Sequence, residues 1–424
     1  MPEITPFKAY YFNVNNKSEL ESLIAPPHDV ISPAERSRFL QHHDNIVQII
    51  LPDSFSKASQ ILNTWIKNKR LVRRNSPAFY IYETKYLYNN QKKKRYGFLA
   101  LVRLSEFSKK EIIPHERTFE KVTEGRLNLF RETNANFNPI FFIFNGDSTY
   151  TRIIQKSITR PSFLQVQDRD GVEHTIWVIE DPQDILELQT FFKTIPLIIA
   201  DGHHRYSSAL AHSCENGSKY TMGLLVDMND PNLKIFPTHR LIRHVPALSA
   251  NQILDKLKQY FLLEIIDFSQ TNLKEKLNEV FTRLSAKSSK SFGILLYNIS
   301  KFFIITLKDE FSPESLIQGT FSDAWKRLDV SILHEYVFKQ LLGVSQYIND
   351  SDNIMYIKNL EDAIEAVQQG LYQLLFILNP TKAEQILKIT AGSEIMPHKS
   401  TYFYPKPLSG LLIYKWDFNE KESY

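Results

Sequence analysis

Several short stretches of this 424-residue chain concentrate side chains that can do chemistry. The densest is Asp201-Gly202-His203-His204-Arg205, an acid, two imidazoles and a guanidinium in direct succession. It follows the apolar run from Pro196 to Ala200, long enough for one buried strand, and precedes Tyr206 to His212, which reads as the opening turns of a helix. A strand that breaks at glycine and opens a helix presents backbone N–H groups and the positive end of a helix dipole. Arg205 in that first turn opposes the dipole, so helix stability does not account for it, whereas a bound phosphate or carboxylate does. Arg205 suits bidentate phosphate binding, His203 and His204 donate as neutral or charged rings, and Gly202 lets a ligand approach the backbone. Asp201 either holds Mg2+ or orients a histidine; the alternative is an N-cap for the helix.

Four further stretches share this character. In Pro114-His115-Glu116-Arg117-Thr118, Glu116 reads as a general base, or as a capping group paired with Arg117. In Pro237-Thr238-His239-Arg240, the last two residues line the same pocket, or His239 is a satisfied buried histidine. Pro26-Pro27-His28-Asp29 sets Asp29 on a rigid turn, where Ser32-Pro33 then caps a helix from Ala34 to Leu40. The segment from Ile395 to Lys406, with prolines at 397, 405 and 407, is an extended loop. It offers Lys399, Ser400, Thr401 and Lys406 to phosphates, or leaves the lysines in solvent. Positive donors, a Mg2+ ion and one carboxylate near an attacking hydroxyl are what phosphoryl transfer needs. These parts come without a P-loop or a Gly-x-Gly-x-x-Gly stretch, and no zinc-type His-Glu-x-x-His spacing is present.

The elements that must position these groups follow from the pattern of apolar residues. The length allows two or three domains, and a net charge of +4 implies no general affinity for nucleic acid. Cys214, the sole cysteine, rules out an intrachain disulfide and fits a reducing compartment. The start lacks a basic segment and a long apolar run, so no signal peptide, no membrane span and a cytoplasmic location are expected. Strands are expected at 45–51, 79–86, 96–104, 140–144, 164–168, 175–179, 220–226, 292–297, 302–307, 355–357, 371–378 and 410–416. Helices are expected at 56–69, 123–132, 184–193, 251–260, 272–284, 331–342, 360–369 and 382–389. Lys92-Lys93-Lys94 reads as a solvated hairpin tip. The texture changes near 246, giving an expected N-terminal domain over 1–246 and a C-terminal α/β domain over 247–424.

Taken together, Pro-Pro-His-Asp, Pro-His-Glu-Arg-Thr, Ala-Asp-Gly-His-His-Arg, Pro-Thr-His-Arg and Met-Pro-His-Lys-Ser-Thr-Tyr-Phe-Tyr-Pro-Lys resemble the bacterial and archaeal family called domain of unknown function 1015. His28 stands where that pattern has tyrosine, and His398 where it has proline or glutamine; Asp29 and Lys399 are in place. The Asp-Gly-His-His-Arg turn is also similar to the Asp-Gly-His-Thr-Arg turn of free serine kinases, which belong to the ParB/sulfiredoxin-like superfamily. That resemblance implies an α+β fold with a ParB/sulfiredoxin-like mixed sheet core in the N-terminal part. It implies nucleotide phosphates at the turn of Gly202, His203 and Arg205, and the residues of the other stretches, His115, Arg117, His239, Arg240, Lys399, Ser400, Thr401 and Lys406, read as further phosphate or nucleotide ligands. The resemblance makes Glu116, which follows Pro-His, the base for the substrate hydroxyl; Asp201 and His204 read as further catalytic candidates, and Asp29 and Asn136 as substrate contacts.

Three classes of function follow. The first is a phosphotransferase using Mg2+ with ATP or ADP and acting on a small hydroxylated metabolite, most simply free serine. The second is a phosphohydrolase, for instance of phosphoserine. The third is a non-catalytic nucleotide-binding regulator. No nucleic-acid or membrane partner is expected.

Overall fold

The structure is a computed structural model that describes residues 2–117, 120–245, 248–287, 289–344 and 353–416. Thr118 and the expected boundary at 246 and 247 lie outside the described residues. The chain forms two compact units. One gathers residues within 1–114, 118–234 and 403–424; the other gathers 115–117 and 235–402. The architecture is mixed α+β, with several sheets of which one is large and mixed. No helix among the described residues is long and apolar enough to cross a membrane.

In the first unit the large sheet runs, by neighbouring strands, 112–114, 197–201, 140–144, 220–227, 91–103, 79–88, 173–179 and 164–167. Ile140–Phe144 is buried along its whole length, as its unbroken apolar sequence requires of a central strand. It pairs parallel with Tyr220–Asp227 and antiparallel with Leu197–Asp201. Helices Ser148–Ser157 and Pro182–Phe192 start on the aspartate N-caps Asp147 and Asp181 and bury Tyr150, Ile153, Leu188 and Phe192 in the sheet's core. Helices Glu120–Thr133 and His203–Asn216 pack on each other, and Phe55–Lys67 packs on the former.

In the second unit the sheet runs 261–267, 301–307, 291–296, 374–377, 239–242 and 354–357, and every ladder is antiparallel. The α/β expectation for this part is therefore corrected, and the reason is visible in the connections. Helix Leu273–Ala286 joins two strands that both run antiparallel to the intervening Lys301–Leu307. Helix Leu360–Gln368 does the same across His239–Ile242. Strand–helix–strand alternation is thus present, with an antiparallel strand between each parallel pair. Both helices bury Val280, Leu284, Ile364 and Val367 in one core.

Other expectations differ in detail. The stretch 45–51 is not a strand: Val47–Ile50 is one helical turn, because a short apolar run is buried equally well in either form. Lys92, Lys93 and Lys94 belong to strand Gln91–Arg103; the turn is the tighter Asn89-Asn90, both with positive φ. Residues 332–341 form a π-helix, and the last strand shrinks to Tyr414–Lys415. Helix Ser148–Ser157 and edge strand Phe261–Asp267 were unforeseen.

Candidate functional site

Asp201 ends strand Leu197–Asp201, whose pairing with Ile140–Phe144 shifts register between Ile199 and Asp201. Gly202 then turns the chain at φ +95° and serves as the N-cap of the 14-residue helix His203–Asn216. No side chain caps that helix, so the N-cap reading of Asp201 is replaced by a different role. Its Oδ2 accepts a hydrogen bond from the Arg205 guanidinium at 2.6 Å, and its Oδ1 lies 2.6 Å from Lys406 Nζ. The Arg205 guanidinium packs under Gly202 so closely that a Cβ there would meet it at 2.9 Å. Arg205 also donates to the Asn138 side-chain oxygen and, at 2.5 Å, to Pro139 O. Its hydrogen bonds thus hold the turn from within. His203 is buried, and His204 Nδ1 lies 3.4 Å from Thr123 Oγ1.

Lys406 donates at 2.6 Å to Asp29 Oδ2 as well, so its ammonium bridges two carboxylates from distant parts of the chain. Burial alone would lower this lysine's pKa; Asp201 and Asp29 outweigh it and hold the ammonium above its usual range. Burial would likewise raise Asp29, and Lys406 foremost, then His28 and Arg205, bring it below the ordinary carboxylate range. The loop carrying Lys406 is fixed on both sides. Arg95, fully buried, donates to Tyr404 O at 3.0 Å and Pro405 O at 2.7 Å. Asn138 donates to Pro407 O at 2.9 Å, and Tyr82 OH accepts from Leu408 N at 3.1 Å. Asp29 is fixed by the short 3-10 turn His28–Val30 after the two prolines, and Ser32 and Glu35 form a capping box on the next helix.

Beside this network lie His28 and Arg126. Arg126 donates to Ile50 O at 2.8 Å; burial first and Arg205 next lower its guanidinium to about 10. Burial, with Arg126 beside it, pulls His28 down to about 3, so its ring is neutral at pH 7.

A second cluster forms in the other unit. His115, fully buried, shares a hydrogen bond with Thr401 Oγ1 at 2.8 Å, and Glu116 Oε1 accepts from Ser400 N at 3.1 Å. Arg117 is exposed. Arg240, also fully buried, donates to Lys399 O at 3.0 Å and to His334 Nε2 at 3.2 Å, and lies over the Tyr356 ring. His239 Nδ1 accepts from Leu378 N at 3.2 Å; burial, then Arg240, lowers it to about 3. Lys399 itself sits at φ +57°.

The residues singled out from sequence therefore assemble as two groups. Asp29, Asp201, Gly202, His203, His204, Arg205 and Lys406 belong to the first unit. His115, Glu116, Arg117, His239, Arg240, Lys399, Ser400 and Thr401 belong to the second. Asn136 joins neither network: its side-chain oxygen accepts from Thr221 Oγ1 and Met222 N, tying two strands together. Sequence reasoning passed over Asn138, Arg95 and Arg126. Asn138 lies in the polar run Asn134 to Pro139 and Arg126 on a charged helix face, and neither stands out from ordinary surface sequence.

As to metals, among the described residues no group of three or more His, Cys, Asp or Glu side chains is arranged to hold an ion. Asp29 and Asp201 both already carry the Lys406 ammonium, so the residues do not fit a protein-built magnesium cage.

Comparison with solved structures finds similarity to "Free serine kinase in complex with AMP", at 16% identity over 71% of this chain and 88% of that one, with a TM-score of 0.35. "Conserved hypothetical protein from Pyrococcus furiosus" is similar at 15% over 70% and 90%, TM-score 0.33. "SbnI with C-terminal truncation from Staphylococcus aureus" is similar at 12% over 73% and 85%, TM-score 0.36. No curated protein matches the chain. Residues 4–331 match the family described as "Protein of unknown function (DUF1015)", and the chain belongs to that family.

Proposed function

We propose that the chain is a nucleotide-dependent phosphotransferase with a ParB/sulfiredoxin-like first unit, acting on the hydroxyl of a small metabolite, with free serine the first acceptor to try. The observation that carries this reading is the Lys406 ammonium, held between Asp29 and Asp201 where a strand ends and a helix begins. Ligands of sheet-and-helix folds gather at the carboxyl ends of strands, and a 14-residue helix starting there adds its positive dipole end.

The phosphates of ATP or ADP lie against the first turn, His203-His204-Arg205, with Gly202 admitting close approach and Lys406 adding charge. Arg205 holds the turn in shape through Asn138, Pro139 and Asp201. Asp201 and His204 are the catalytic candidates of the first unit, and Glu116 is the proposed general base. Mg2+ enters only as the companion of the donor phosphates, and no step is assigned to it.

Calorimetric titration with ADP and ATP, followed by ADP release with and without serine, tests this reading. Micromolar nucleotide binding and serine-dependent ADP release are expected. A folded protein that binds neither nucleotide overturns the reading, and equal release without serine reassigns the activity to hydrolysis.

A further inference from the structure

A cavity of about 30 Å3 opens in the first unit, with His28, Arg126 and Arg205 as its charged and polar wall and Leu129, Phe130 and Phe137 as its apolar wall. Two guanidiniums facing one small space repel each other unless an anion lies between them. Arg126 has no carboxylate within 4 Å among the described residues, and it donates to the backbone carbonyl of Ile50. The charges around the cavity do not cancel. Arg126, Arg205 and Lys406 are positive, Asp29 and Asp201 are negative, and His28 is neutral, which leaves one positive charge over. The space is narrow, and the two guanidiniums on its wall suit the two oxygens of a planar anion. Such a fork-shaped partner is what guanidinium groups bind best. The apolar wall favours a singly charged group over a phosphate dianion.

We propose that this cavity is a carboxylate subsite: the hydroxylated metabolite is a short acid whose carboxylate lies between Arg126 and Arg205, with the His28 ring beside it. This deepens the phosphotransferase reading and rests on it for the rest of the substrate. Arg126 thereby selects acids over neutral alcohols of the same size.

The full-length protein is titrated calorimetrically with D-glycerate, L-serine, glycerol and inorganic phosphate, and separately with ADP. The acids are expected to bind at least tenfold more tightly than glycerol and than phosphate. Arg126→Gln is expected to lose at least tenfold for both acids, and Arg126→Lys, which keeps the charge without the fork, to lose less. Glycerol binding as tightly as glycerate, or phosphate more tightly, overturns the subsite, as does unchanged acid affinity in either folded variant. Should Arg126→Gln not fold, the wild-type comparison and Arg126→Lys decide the matter. The ADP arm separates the two proposals. Acid selectivity without ADP binding sinks the phosphotransferase reading and leaves the subsite standing; ADP binding without acid selectivity does the reverse.

Discussion

Lys406 and Asp29 stand 377 residues apart in the chain and 2.6 Å apart in space. The same ammonium meets Asp201 at 2.6 Å, so one lysine joins the first motif, the central turn and the last loop. Replacing it leaves Asp29 without its ion-pair partner and Asp201 with Arg205 alone. Lys406→Met is expected to cost about 3 kcal/mol, the low end for removing one partner of a buried pair, since the Asp29 side chain is 35% exposed. Urea unfolding measures it. The double variant with Asp29→Asn should recover part of the loss, and a purely additive result argues against direct coupling.

The pair also sets a pH window. Asp29 has a folded pKa below its unfolded value of about 3.9, so its contribution is complete above about pH 5 and is lost as pH falls through the folded value. Lys406 has a folded pKa above its unfolded value of about 10.4, so its contribution is present below that and is lost as pH rises. The contribution of this pair to urea-derived stability is expected to be flat between about pH 5 and 10, and Asp29→Asn should show a shallower loss below about pH 5.

His28 works in the opposite sense. Its folded pKa of about 3 lies below the ordinary value, because burial and then Arg126 disfavour the imidazolium. The unfolded chain takes up a proton near pH 6.5 that the folded one refuses, so stability declines as pH falls from about 6.5 towards 3. NMR should show a His28 ring that does not titrate between pH 8 and 5, and His28→Gln should flatten stability over that range.

Gly202 is needed for two reasons at one position. At φ +95° an L side chain is strained, and its Cβ would meet the Arg205 guanidinium at 2.9 Å. Gly202→Ala is expected to destabilise by about 1–3 kcal/mol and to weaken ADP binding through the displaced turn. Wild-type stability would mean that the turn adopts another conformation.

Glu116 offers a cleaner separation of roles. Its Oε1 accepts the Ser400 N–H, and glutamine keeps an oxygen for that bond. Glu116→Gln should therefore melt as wild type and bind ADP unchanged, while serine-dependent turnover falls by about 10²–10⁴. Normal turnover would return this residue to a structural role.

What the chain's local pattern determined by itself is considerable. Ile140–Phe144 is legible as a central strand because nothing polar interrupts it, and the turn after Ala200 is legible because strand, glycine and helix follow in order. The chemistry-bearing stretches stand out because proline, glycine and charge coincide in them. Tertiary packing alone decided that Lys406 bridges Asp29 and Asp201, that Arg240 holds the loop of Lys399, and that Arg126 and Arg205 share a cavity. It also decided strand direction in the second unit, where an antiparallel strand enters between each helix-linked pair. Dihedral preference and hydrophobic periodicity act over a few residues and so leave a trace in the sequence. The pairing of charges and the order of strands depend on which distant surfaces exclude water together, and no local pattern records that.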